Sequence, residues 1–199
     1  MPMNSKNNCD INIMIRGIGG QGVKLAGTII GQAAIYAGRY AVQSTKYGSA
    51  ITGGETRSEI KVSTKKIIYP RVTDIDVYVA LTQNDLDNYF ESQVYISPTE
   101  SIKRIPEAIK DKIIFAPMIE EAEKSIGTRK VFNMVMIGIL NQLFDLAPEK
   151  SLIEAIKELT TPKFHKSNID ALYLGIKMNL KEYNSKEVLE LADICRIKE

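Results

Sequence analysis

The sequence has 199 residues, 44% apolar and 25% charged, the make-up of an ordinary globular chain with room for one sizeable α/β domain. Its net charge of +2 gives no sign of a nucleic-acid binder or an acidic tail. Two cysteines, Cys9 and Cys195, lack C-x-x-C spacing and cannot by themselves ligate an iron–sulfur cluster or a tetrahedral zinc ion.

Residues 1–10, "MPMNSKNNCD", form a polar lead without the apolar stretch of a secretory signal. No later run approaches the length of a membrane span, so the chain reads as cytoplasmic. Residues 11–199 are expected to make a single domain. "INIMIR" is short, apolar and β-branched, a strand. From Val23 to Ala37 apolar and small residues recur at helical spacing, and Gly38 supplies the stop. "RYAVQS" is a second strand, and the glycine-rich "TKYGSAITGGETRS" is a loop feeding the alternating strand "SEIKVS". "KIIY" is expected to pair with that strand as a hairpin before Pro70. "IDVYVAL" reads as a central buried strand, with Asp74 and Asp76 at its edge, and "NDLDNYF" as a short helix. "QVYIS" and "KIIFAP" are strands stopped by Pro98 and Pro117.

The remainder is helical. "MIEEAEKSI" ends at Gly127, and Phe132, Val135, Met136, Ile139, Leu140, Leu143 and Phe144 form an amphipathic stripe before Pro148. "KSLIEAIKEL", "NIDALYLGIKMNL" and "SKEVLELADIC" follow, the last with Cys195 on its apolar face. The fold class is therefore a three-layer α/β/α domain with a mixed sheet and a helical C-terminal third. His165, the one histidine, sits at a helix start among lysines and reads as solvent-facing or capping. The methionines of the long helix read as core filler.

Four glycines fall in six positions of "IRGIGGQGVKLAG": Gly17, Gly19, Gly20 and Gly22. A strand, a glycine loop and a helix N-terminus together make a good anion site, because free N–H groups and the positive end of the helix dipole converge there. A dinucleotide site further requires an acid about 20 residues on. None occurs from Ile11 through Gly54, a segment that holds Arg16, Lys24, Arg39 and Lys46 and would favour an anion or an acidic partner. A P-loop fails as well, since Gly22 is followed by Val23 rather than by Lys-Ser/Thr. Ten of the thirteen glycines lie between residues 17 and 54, in or near two loops. If the sheet is parallel here, both loops leave the carboxyl ends of neighbouring strands, where α/β proteins place ligands. Glu55 and Arg57 flank the second loop and could pair with each other or with a ligand.

The combination resembles a family. "GIGGQGVKLAGTIIGQAA", "GRYAVQSTKYGSAITGGETRSEIKVS", "YPRVTDIDVYVAL", "FAPMIEEAEKSIGTRKVFNMVMIGIL" with its Asn133, and "NIDALYLGI" are similar to the γ subunit of the 2-oxoacid:acceptor oxidoreductases, the 2-oxoglutarate type above all. One departure is Thr52, which precedes Gly53 and Gly54 where the family usually has Arg; Arg57 is the candidate substitute. The resemblance implies a complex that decarboxylates a 2-oxoacid on thiamine diphosphate and Mg, passes electrons through iron–sulfur clusters to ferredoxin or flavodoxin, and forms acyl-CoA. It implies α, β and ferredoxin-like δ partner subunits, with the thiamine diphosphate and the clusters on those chains and no catalytic residue here. Gly17, Gly19, Gly20, Gln21, Gly22 and Lys24 are the candidates for a coenzyme A or subunit contact. Tyr47, Gly48, Thr52, Gly53, Gly54, Glu55 and Arg57 are the candidates for the subunit interface. The competing readings are a stand-alone nucleotide- or coenzyme A-binding protein, the related subunit of a pyruvate or indolepyruvate enzyme, and a chain whose glycines serve a homodimer.

Overall fold

In the computed structural model, which describes residues 9–48 and 54–197, a six-stranded mixed sheet carries the molecule. The chain runs β1 (Asp10–Ile18), α1 (Val23–Tyr36), β2 (Tyr40–Tyr47), β3 (Glu55–Ser63), β4 (Ile75–Ala80), α2 (Gln83–Asp87), β5 (Ser92–Pro98) and β6 (Ile113–Ala116). Five helices follow: α3 (Met118–Ile126), α4 (Phe132–Phe144), α5 (Glu149–Leu159), α6 (His165–Ile176) and α7 (Lys186–Cys195). Strand order is β2-β3-β1-β4-β5-β6. β3 is antiparallel to both its neighbours, and β1, β4, β5 and β6 run parallel.

Alternation along β1 sorts its side chains. Ile11, Ile13 and Ile15 enter the large core beneath α1 and α3–α7, while Met14 joins a smaller cluster with Tyr78, Leu86, Tyr95 and Ile109 on the other face. The three expected layers are thus unequal: one face carries six helices, the other only α2, a 3₁₀ turn at Glu107–Lys112 and irregular chain. β4 is buried at every position, as its unbroken apolar run requires. Gly38 and Gly127 adopt positive φ at the ends of α1 and α3, so both helix stops fall where glycine placed them. Among the described residues no helix is long and apolar enough to cross a membrane.

Several expectations need correction. "KIIY" forms no strand, because β3 already has β2 on one edge and β1 on the other. With nothing to pair with, Ile68 is left 94% exposed. Asp76 is not a strand-edge residue: it is buried within β4, and its Oδ2 accepts from the Asn12 N–H at 2.8 Å. The stripe on α4 is wider than expected, since Phe132 to Leu140 are all buried. The helix is enclosed by α1, α3, α6 and α7.

Candidate functional site

The loop between β1 and α1 is braced from within. The Ile18 N–H donates to Gln21 Oε1 at 2.8 Å, and the Gln21 N–H donates to the Ile18 carbonyl at 3.2 Å. A Cβ at Gly17 would strike that same Oε1, and one at Gly22 would strike the Asn133 carboxamide. Gly20 and Gly22 hold φ of 97° and 72°, left-handed backbone that favours glycine. Nothing lies within 4 Å of where a Gly20 Cβ would be, so its side faces open space.

α1 starts directly from Gly22, with no side-chain cap and no acid in its first turn. Its first N–H groups and the positive end of its dipole are therefore available at the loop. Lys24 is exposed beside them. Together with Ile18, Gly20, Val23, Tyr47 and Leu159, Lys24 lines an open groove of about 530 Å³. Tyr47, 64% exposed, forms its far wall. Behind the groove, Gln43 Nε2 donates to the Lys24 carbonyl and to Ser58 Oγ, both at 2.9 Å, tying β2 and β3 to the first turn of α1.

The two glycine loops meet. The Gly19 N–H donates to the Gly54 carbonyl at 2.9 Å, and the Gly48 N–H donates to the Glu55 carbonyl at 2.7 Å. β1 and β2 are not adjacent, as a parallel pairing would have made them, because β3 lies between them. Its antiparallel run returns its N-terminus to the end where β1 and β2 finish, so the loops share one edge of the sheet all the same. Thr52 and Gly53 lie outside the described residues.

Glu55 and Arg57 do not pair with each other. Glu55 bonds Arg16 at 2.9 Å, and Arg57 bonds Glu59 at 3.1 Å and stacks over Phe90. Strand alternation sends Arg57 to the face opposite α1, away from the Lys24 groove. Arg16, one of the cations of the acid-free segment, is engaged internally through both Nη groups, while its buried Nε has no hydrogen-bond partner among the described residues. Its Nη1 donates to the Asn88 carbonyl at 2.5 Å and to Tyr78 Oη at 3.3 Å, and Asp85 lies 3.8 Å from its Nε. Burial pushes the Tyr78 hydroxyl up to about 12 and raises Asp85 above the usual carboxylate range, Thr82 and Arg16 opposing the Asp85 shift.

Residues that sequence reasoning did not assign to this edge are thus Tyr78, Asp85, Asn88, Phe90 and, as a wall of the loop, Asn133. Only Asn133 left a signal, as a lone carboxamide inside the apolar run "KVFNMVMIGIL". His165 opens α6 with Nε2 3.0 Å from the Thr160 carbonyl, a local bond at a helix start. Cys195 is buried, as expected, with Sγ 3.9 Å from the Asp76 carbonyl. Among the described residues no three His, Cys, Asp or Glu side chains are grouped to hold a metal ion.

Comparison with known proteins places this geometry in context. Residues 12–178 match the family model described as pyruvate ferredoxin/flavodoxin oxidoreductase. The chain is 36% identical over 173 residues to the 2-oxoglutarate synthase subunit KorC of Methanothermobacter marburgensis, a match covering 82% of this chain and 93% of that one. The γ subunit of keto/oxoacid ferredoxin oxidoreductase from Geobacter sulfurreducens superposes with a TM-score of 0.72 at 28% identity, over 84% of this chain and 95% of that one. The 2-oxoglutarate:ferredoxin oxidoreductase of Magnetococcus marinus shares the fold at a TM-score of 0.71 and 22% identity, over 89% of this chain and 32% of that one.

Proposed function

The chain belongs to the pyruvate ferredoxin/flavodoxin oxidoreductase family, and from that premise we propose that it is the γ subunit of a 2-oxoglutarate:ferredoxin oxidoreductase. The assembled enzyme converts 2-oxoglutarate, coenzyme A and oxidised ferredoxin into succinyl-CoA, carbon dioxide and reduced ferredoxin. The observation that carries this reading is the match to a 2-oxoglutarate synthase subunit along 93% of that subunit's length.

In the proposed complex this chain supplies a surface and no reacting group. Thiamine diphosphate, which stabilises the carbanion left by decarboxylation, and the iron–sulfur clusters belong to the α, β and δ chains. The donor set here does not fit a cluster, since two cysteines, one of them buried, fall short of four thiolates. The residues at the loop edge do suit coenzyme A. Open N–H groups at the start of α1 and the exposed Lys24 favour phosphate, while Ile18, Val23 and Tyr47 offer apolar cover. We place the loop against the α and β chains, where its helix N-terminus borders the coenzyme A path. Gln21 is the brace of the loop rather than its reader, because its Oε1 is engaged by Ile18.

Co-expression with the α, β and δ chains tests the reading. The complex is expected to reduce ferredoxin only when both 2-oxoglutarate and coenzyme A are present, and the isolated chain is expected to be inactive. A chain that never associates with those partners overturns the proposal. Within the complex, Gly20→Val with Lys24→Ala is expected to raise KM for coenzyme A several-fold while kcat is retained. An unchanged KM would remove the coenzyme part and leave the loop as a docking surface alone.

A further inference from the structure

The groove at the glycine loop does not end there. At Leu25 and Leu159 it runs into a second hollow of about 340 Å³, walled by α4, α6 and the turn after α5. Neither lining contains an Asp or a Glu, whereas Lys24 stands in the first and Lys130 in the second. Two asparagines face the second hollow, Asn133 from α4 and Asn168 from α6, only 5% and 7% exposed. No described residue hydrogen-bonds either carboxamide. Both carboxamides open onto the hollow without a partner among the described residues, so their donors and acceptors are available to a partner from outside. At the second hollow Phe164 is 49% exposed, and along the adjoining groove Ile18 and Tyr47 are 43% and 64% exposed.

We infer that this hollow seats an extended acidic segment of a partner subunit, with the Asn133 and Asn168 carboxamides pairing to its peptide groups and Lys130 meeting a carboxylate. A carboxamide both donates and accepts, so it matches a peptide unit in either sense. The acid-free lining and its lysines select a negative occupant by simple charge complementarity. With Phe164 exposed at its edge and acid-free walls, the hollow is open as a protein interface is. The hollow adjoins the glycine-loop groove only at Leu25 and Leu159, so the segment docks beside that groove and leaves its Lys24 end to coenzyme A. This inference rests on the chain being a subunit of the proposed complex.

The test compares Asn168→Leu and Lys130→Glu with the unaltered chain, measuring both the melting temperature of the isolated chain and its association with the purified α, β and δ chains. Asn168→Leu loses no internal hydrogen bond, so its melting temperature is expected to hold or rise while association weakens about tenfold. Lys130→Glu changes an exposed side chain and is expected to weaken association by a similar factor, the loss shrinking as salt is raised. If the unaltered chain associates and both variants associate equally well, the inference is overturned and the subunit reading stands. If the unaltered chain does not associate, the subunit reading itself has failed. Should Asn168→Leu lower the melting temperature, Lys130→Glu decides alone, and unchanged association with it overturns the inference. A raised KM for coenzyme A with association intact would put a small molecule in the hollow and would equally overturn it.

Discussion

Arg16 holds together the face of the loop edge that turns away from α1. Its guanidinium joins Glu55 beside the second loop, Asp85 and Asn88 around α2, and Tyr78 in β4, so three segments depend on one side chain. The Glu55 carboxylate is 45% exposed and its arm of the network is screened, but Asp85 is 2% exposed and would be stranded without Arg16. Arg16→Met is expected to destabilise the chain by about 3 kcal/mol, a fall in Tm of roughly 6–12 °C by calorimetry. Adding Asp85→Asn should recover part of that loss, because the unpaired buried charge is gone and the amide oxygen can still cap Thr82. The hydroxyl of Tyr78 gives a second expectation, with a definite sign. Burial holds it at about 12 in the folded chain against 10 unfolded. Its contribution is therefore complete below pH 10 and lost as pH climbs from 10 to 12, by roughly 3 kcal/mol. A phenolate absorbance titration should show one tyrosine ionising near that upper value, and Tyr78→Phe should remove this step.

At the scale of elements, α4 and α6 cross at a pair of glycines. A Cβ on Gly138 would meet the Leu172 carbonyl and the Ile176 nitrogen, and one on Gly175 would meet the Val135 backbone. These obstacles are backbone atoms, which cannot swing aside as a side chain would. Gly175→Ala is therefore expected to cost about 2 kcal/mol net, the steric strain exceeding the gain in helix propensity, and to lower Tm by roughly 4–8 °C. A stabilised variant would refute the close crossing. Such crossings show what local patterns can convey. The strands before Pro98 and Pro117 and the helices ending at Gly38 and Gly127 were legible because their boundaries are set by the chain's own proline and glycine chemistry. The failure of "KIIY" was not, since its pattern is strand-like and only the occupancy of both β3 edges excludes it. The same division runs through the site. Spacing marked the glycine loop and its uncapped helix. The side-chain partners of Arg16, by contrast, arise from the packing of β1 beside β3, β4 and α2, a relation between residues 39 to 69 positions apart that no local periodicity encodes. Arg57 could have been placed by counting, because its parity along β3 already sends it to the face away from Lys24.

For the whole molecule, the two edges of the sheet differ in a way that bears on assembly. β6 is short, and the Asn184 side chain closes its edge by accepting from the Phe115 N–H at 2.7 Å and donating to the Phe115 carbonyl at 2.8 Å. β2 spans eight residues and pairs with β3 alone, and it ends at Tyr47 on the loop groove. A strand paired on one side opens at lower free energy than β1 or β4, which are paired on both sides and buried. In the isolated chain, backbone amides of β1 and β4 are therefore expected to exchange with deuterium most slowly, and those of β2 fastest among the strands. Docking at the loop edge should then slow exchange at residues 18–25 and at the Tyr47 end of β2. The central strands, already close to the limit set by global unfolding, should change little. If assembly protected β6 and α7 instead, the docking surface would lie at the opposite side of the sheet. A uniform slowing across the whole chain would be a gain in global stability and would locate no interface. Slowing confined to the glycine loop, the β2 terminus and the adjoining hollow beside Lys130 is the pattern that a subunit seated at this edge must give.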